Sequence, residues 1–121
     1  MTFAESDLSA LAAAVEIEVE THAPGGIVHR TIVWPVVDEG IVYVRSYKGP
    51  TGRWYREAIA DPTVALHVDG RRLPATAVLA ADPSSVQACS AALREKYRGD
   101  PSLRAMLAPD VLPTTLRMVP A

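Results

Sequence analysis

VYVRSYKGPTGRWYREAIADPTVAL, residues 42–66, passes through strand, loop, helix and strand again within one short segment. Its opening is a β-branched and aromatic run that reaches back to Ile41 and predicts a strand over 41–46. A loop containing Gly49, Pro50 and Gly52 follows, and then RWYREAIA, 53–60, whose good helix formers predict about two turns of helix. Asp61-Pro62 stops that helix, because the residue before a proline avoids the helical region. TVALHV, 63–68, resumes as a strand, and Asp69-Gly70, a strong hairpin dipeptide, joins it to a further strand in RRLPATAVLA, 71–80. The same segment concentrates positive charge: Arg45, Lys48, Arg53 and Arg56 fall within residues 41–56 with no acidic side chain among them. In a chain of formal net charge −2, that local surplus points to a small anionic ligand.

Upstream, VEIEVET, 15–21, alternates without error, with Val15, Ile17 and Val19 on one face and Glu16, Glu18 and Glu20 on the other. The period of two places Val15, Ile17 and Val19 in a core, together with Val64, Leu66 and Val68 of 63–68. The three glutamates then read as solvated surface or as contacts to a partner chain. APGG, 23–26, is a turn by composition, and VHRTIVWPVVD, 28–38, reads as the second strand of a hairpin, with Pro35 at a bulge or an edge. Asp38-Glu39-Gly40 turns the chain into 41–46, which makes three antiparallel strands in succession. At the amino-terminal end, SDLSALAAA, 6–14, predicts a short helix with a Ser or Asp cap. Asp82-Pro83 opens a longer amphipathic helix in which Val86, Cys89, Leu93 and Tyr97 recur at helical spacing as far as Gly99. A helical turn at 101–107 and a closing strand in TTLRMV, 114–119, complete the chain. One domain over 1–121 results, an α+β fold of mainly antiparallel β, with six strands in a barrel-like sheet and short peripheral helices. Strand spacing by itself leaves a split barrel, an OB-like barrel and other six-stranded meanders open.

Composition narrows the function classes. An apolar fraction of 49% and a charged fraction of 21% are those of ordinary globular domains. No run approaches the roughly 20 apolar residues of a membrane helix, and MTFAESDL has no signal-peptide pattern, so a cytoplasmic location is expected. The net negative charge argues against a nucleic-acid partner. Cys89 has no second cysteine to pair with, and His22, His29 and His67 lack metal-ligand spacing, so no metal site is expected. No Ser-His-Asp or Cys-His set stands out.

The segment 42–66 resembles the cofactor-holding segment of the FMN-binding split β-barrel superfamily. There a strand with polar or basic side chains leads into a loop, a basic residue opens a short helix, and Asn-Pro or Asp-Pro precedes an apolar strand. The matching positions are Arg45 and Ser46 at the strand end, Lys48 in the loop, Arg53 at the helix start, and Asp61-Pro62. Thr21, the APGG turn and Arg30-Thr31 before IVWPVV are similar to the deazaflavin-dependent nitroreductase branch and its uncharacterised bacterial relatives. The likeness spans about residues 15–80.

It implies a six-stranded split β-barrel that binds FMN or a deazaflavin coenzyme, the cofactor phosphate being held by segment 45–56. The implied cofactor-binding residues are Arg30, Thr31, Arg45, Ser46, Lys48, Arg53, Trp54 and Tyr55. Arginine and lysine offer charge-assisted bonds to a phosphate, Ser46 and Thr51 can donate hydroxyls, and a helix amino terminus adds free N–H groups. Trp34, Tyr43, Tyr47, Trp54 and Tyr55 are suited either to stack on a flat ring or to pack in a core. One position departs from the branch: its usually basic turn is APGGIV here, without Lys or Arg between Thr21 and His29, which leaves the choice between the two cofactors open. The implied activity is hydride transfer to a small organic substrate, by a homodimer that buries Trp34 and Tyr43. The alternative is a non-catalytic cofactor-binding or ligand-free barrel.

Overall fold

In the computed structural model, which describes residues 2–121, the run 28–38 is cut in two at Trp34-Pro35. Val28–Val33 forms β2 and Val36–Asp38 forms β3, after β1 at Ile17–His22. β4 is Ile41–Val44, β5 Thr63–Val68, β6 Arg71–Leu79 and β7 Leu116–Pro120. All seven belong to one antiparallel sheet in the order β2-β1-β5-β6-β7-β4-β3. Sequence periodicity predicts six strands and three consecutive neighbours. The seventh arises because Pro35 has no N–H to donate, so the ladder breaks there and the chain leaves one edge of the sheet to enter the other. Two edges joined by two residues force the sheet to curl back on itself, and the result is the split barrel.

Two hairpins fix the register. Asp69 and Gly70 both take positive φ, 55° and 75°, as a type I′ turn requires, and hold Val68 opposite Arg71. β1 and β2 pair from Ile17 opposite Val33 to His22 opposite Val28, so Thr31, Val33 and Val19 share the inner face. β4 has no bond to β5. Residues 45–62 carry the chain between them, and α2, Arg53–Ala60, buries Trp54 and Ala58 in the barrel core beside Val19, Val64 and Leu66. α1, Glu5–Ala13, closes one end of that core with Leu11. No side chain caps α1 in place of the Ser or Asp expected; its cap position is Ala4. α3, Pro83–Lys96, is capped as the sequence predicts, Asp82 Oδ2 accepting from the Ser85 N–H at 3.1 Å. With α4, Leu103–Met106, it packs a second apolar cluster of Val36, Tyr43, Cys89, Leu93, Tyr97 and Met106. Among the described residues no helix is long and apolar enough to cross a membrane.

The period-two reading of the core holds for Ile17, Val19, Val64, Leu66 and Val68, all buried, and fails for Val15. Val15 is 66% exposed because it precedes β1, where alternation no longer applies. Glu20 corrects the reading of three solvated glutamates. Its carboxylate is buried on the sheet between β1, β5 and β6, where Arg72 donates to both oxygens at 3.1 and 2.8 Å and His67 Nε2 lies 2.8 Å from Oε1. Bonds from Arg72 and then His67 hold its pKa at about 2, against an ordinary 4.5.

Leu66→Ala should cost about 2–5 kcal/mol and lower the thermal midpoint by roughly 8–20 °C; an unchanged midpoint would place Leu66 outside the core. The Glu20 cluster predicts an acid limb. A depressed carboxyl pKa adds stability above the unfolded value near 4.5, and that stability is lost as pH falls toward 2. Glu20→Gln should therefore flatten the stability profile between those limits. Equal acid profiles for the two proteins would show that the cluster does not act as an ion pair.

Candidate functional site

Past Val44 the chain leaves the sheet in a loop that builds its own frame. Ser46 Oγ donates to the Gly49 carbonyl at 2.7 Å, the Ser46 N–H donates to Thr114 Oγ1 at 3.1 Å, and the Gly49 N–H returns to the Ser46 carbonyl at 2.9 Å. A Cβ at Gly52 would lie 2.5 Å from Ser46 Oγ, so only glycine lets the loop close before α2. No side chain caps α2, and the Arg56 N–H is the one that reaches back to the Gly52 carbonyl, at 3.1 Å. The N–H groups before it stand at the positive end of the helix dipole.

Arg45 lies beneath this loop, 1% exposed. It donates Nε to Thr115 Oγ1, Nη1 to the Met106 carbonyl, and Nη2 to the Val86 carbonyl and Ser90 Oγ, at 2.9 to 3.1 Å. All four acceptors are uncharged, and no carboxylate among the described residues lies within ion-pair distance. Burial pushes its pKa down from the ordinary value. Cys89 brings no counter-charge, since burial raises its thiol to about 11.

A cavity of about 490 Å³ opens between the end of β2, the Trp34-Pro35 crossover, this loop and the start of α2. Thr31, Ile32, Val33 and Trp34 form one wall, Arg45, Ser46, Tyr47 and Lys48 another, and Gly52, Arg53 and Trp54 a third, with Ser102 and Met106 completing it. Three cations line the cavity and no carboxylate does. Lys48 is exposed and forms no ion pair among the described residues. Arg53 is loosely held, 3.5 Å from Thr31 Oγ1 and 3.9 Å from Glu57.

Of the residues singled out in the sequence, the structure brings Thr31, Arg45, Ser46, Lys48, Arg53 and Trp54 to this cavity. Arg30 points to the opposite face of β2 and donates to Glu18 at 2.7 Å, because neighbours on a strand face opposite ways. Tyr55 packs against the core, its ring edge-on to Trp54 at 6.3 Å. Arg45 and Ser46 direct their donors into the protein frame, which makes them supports of the wall in this structure. Tyr43, expected at a subunit interface, is 4% exposed within its own chain. Trp34 stacks on Tyr97, with ring centres 3.9 Å apart.

Sequence reasoning missed Glu57. Its carboxylate accepts from Thr21 Oγ1 at 2.7 Å and from His29 Nδ1 at 2.9 Å, tying α2 to β1 and β2. Burial disfavours its charge, and the bonds from Thr21 and His29 outweigh that and hold its pKa below the ordinary value. The spacing Arg53 to Glu57 is a visible helical pair, but the strand partners carry no local signal.

Comparison with solved structures supports the architecture. A conserved hypothetical protein from Mycobacterium tuberculosis superposes with a TM-score of 0.76 at 17% identity, over 99% of this chain and 82% of the other. An F420-H2-dependent reductase gives 0.68 at 18% identity, over 86% and 93%. A candidate pyridoxamine 5'-phosphate oxidase from Listeria innocua gives 0.68 at 16%, over 96% and 91%. At these identities the likeness is one of fold. No curated protein matches the chain. Residues 7–118, nearly the whole of the split barrel, match one family model, and the chain belongs to that family, described as uncharacterized protein conserved in bacteria, DUF2255.

Proposed function

We propose that the 490 Å³ cavity binds a flat-ringed, phosphorylated redox cofactor, FMN or a deazaflavin coenzyme, and that the protein is a reductase of small organic substrates. The observation that carries this reading is the charge of the cavity: three cations, no carboxylate, and in Arg45 a buried guanidinium without a counter-ion. Buried charges are ordinarily offset by an opposite one, and an anion in the cavity would balance the field of Arg45 while its donors stay bound to the frame. Lys48 and Arg53 have donors free to take a phosphate, Arg53 in the two-bond geometry that guanidinium allows. The open amino terminus of α2 adds N–H groups of the right polarity. Val33, Trp34 and Met106 offer the apolar flank that a flat ring needs. The volume lies within the roughly 300–1,000 Å³ of small-molecule sites.

Such a cofactor, when bound, supplies the hydride. The chain binds it, orients its ring against the Trp34 wall and keeps water from that face. Arg45 acts as a positioning residue that joins the loop to α3, α4 and the approach to β7. The reductase and oxidase among the structural neighbours agree with this reading. A non-catalytic cofactor carrier is the second reading, favoured by a cavity lining without Asp, Glu, His or Cys. Coloured protein that fails to turn over a reporter quinone or nitroaromatic would support the carrier.

Hydrogen bonds to charged groups are worth about 1.5–3 kcal/mol, so Arg53→Ala and Lys48→Ala should each weaken cofactor binding about tenfold or more. Arg104→Ala, on α4 outside the cavity lining, should change it little. Failure of both FMN and a deazaflavin to bind the wild-type protein below about 100 µM would overturn the reading.

We also propose a homodimer. With Tyr43 buried, the apolar area for it comes from Ile27, Val28 and Ile32, which are 51% to 59% exposed on and beside the edge strand β2. Sedimentation should give a dimer at tens of micromolar, a range of ordinary protein affinity; a monomer there would contradict it.

A further inference from the structure

Trp34 and Pro35 belong to no strand, so the crossover that carries a wall of the cavity gets its hydrogen bonds from side chains. Both donors come from the carboxyl-terminal end of α3. Lys96 Nζ donates to the Pro35 carbonyl at 2.6 Å and to the Leu11 carbonyl at 3.1 Å. Tyr97 Oη donates to the Val15 carbonyl at 2.7 Å and lies 3.2 Å from the Pro35 carbonyl. The Tyr97 ring is 5% exposed and covers one face of the Trp34 indole, the planes 9° from parallel and the centres 3.9 Å apart. Lys96 Nζ sits 5.3 Å from the Tyr97 ring centre, on a face that attracts a cation. These contacts clamp the backbone and the indole together.

We propose that Tyr97 and Lys96 are positioning residues for ring binding, fixing Trp34 so that a flat cofactor meets a preset aromatic wall. The proposal rests on the cofactor reading of the cavity. Without Tyr97 the indole would lose the ring stacked on it, and only the looser packing of its apolar cluster would hold its rotamer. Fixing it before binding avoids the entropy loss that ordering it on the ligand would bring.

The test has two arms on the full chain. In a Trp54→Phe background, Trp34 is the only tryptophan. Tyr97→Leu should there make Trp34 emission more readily quenched by acrylamide, and Tyr97→Phe should restore most of the protection, since the ring remains. In the second arm, whichever of FMN and a deazaflavin the wild-type protein binds is titrated into Tyr97→Leu, Trp34→Leu and the double variant. Tyr97→Leu should weaken binding about threefold to tenfold, the range of a stacked aromatic pair. Added to Trp34→Leu, it should weaken binding no further. Equal losses from Tyr97→Leu with and without Trp34 would overturn the proposal, as would unchanged quenching. Should Tyr97→Leu fail to fold, Lys96→Met keeps both rings and serves in both arms, with the same direction expected and the same overturning results. Should the wild type bind neither cofactor, the cofactor reading fails, and the quenching arm still decides whether Tyr97 fixes Trp34.

Discussion

The peptide link between Trp34 and Pro35 joins β2, at one edge of the sheet, to β3, at the other. A flat seven-stranded sheet would hold its edge strands some 28 Å apart, at about 4.7 Å per step. A two-residue span cannot reach that far, so the sheet must curl until its edges meet. Proline then prevents the edges from fusing into a continuous ladder, because it has no N–H to donate. The barrel stays split, and the split is where the cavity lies. Bridging the barrel between β4 and β5 is left to residues 45–62, which bring the basic loop and the start of α2 to the same place.

Charge is partitioned over this frame. Glu20 gathers Arg72 and His67 on one face of the sheet, and the ions there neutralise one another. Glu57 gathers Thr21 and His29 beside α2 and leaves Arg53 only a long contact at 3.9 Å. The cavity keeps the unbalanced cations. A buried guanidinium with neutral acceptors is held by geometry and not by a salt bridge, and its field extends into the nearest concave space. The same four bonds make the loop dependent on α3, α4 and the approach to β7, so the carboxyl-terminal third of the chain shapes the site without supplying a motif.

Much of this was legible where the signal is local. α2 spans 53–60 and β5 spans 63–68 as the Asp-Pro stop and the β-branched run predict. Asp69-Gly70 is the turn its dipeptide implies. The loop residues reach one cavity because Ser46 to Trp54 is a contiguous segment. What could not be read depends on distant partners. IVWPVV is apolar on both sides of Pro35, so nothing in the string tells that the two halves sit at opposite edges. Arg45 reads as a ligand-facing cation, and only its acceptors, 41 to 70 residues away in the chain, turn it into the frame. Glu20 reads as surface until β5 and β6 bring His67 and Arg72 beside it.

In the reading proposed above, the unbalanced cations of the split face an anionic, flat-ringed cofactor. A crystal structure of the protein grown with FMN, and with a deazaflavin coenzyme, decides whether they do. The expected density is a phosphate within hydrogen-bonding distance of Lys48 and Arg53, with the ring beside Trp34. A ligand bound instead in the acidic hollow of Glu16, Glu18 and Asp69 beside α1, or a phosphate placed away from Lys48 and Arg53, would contradict it.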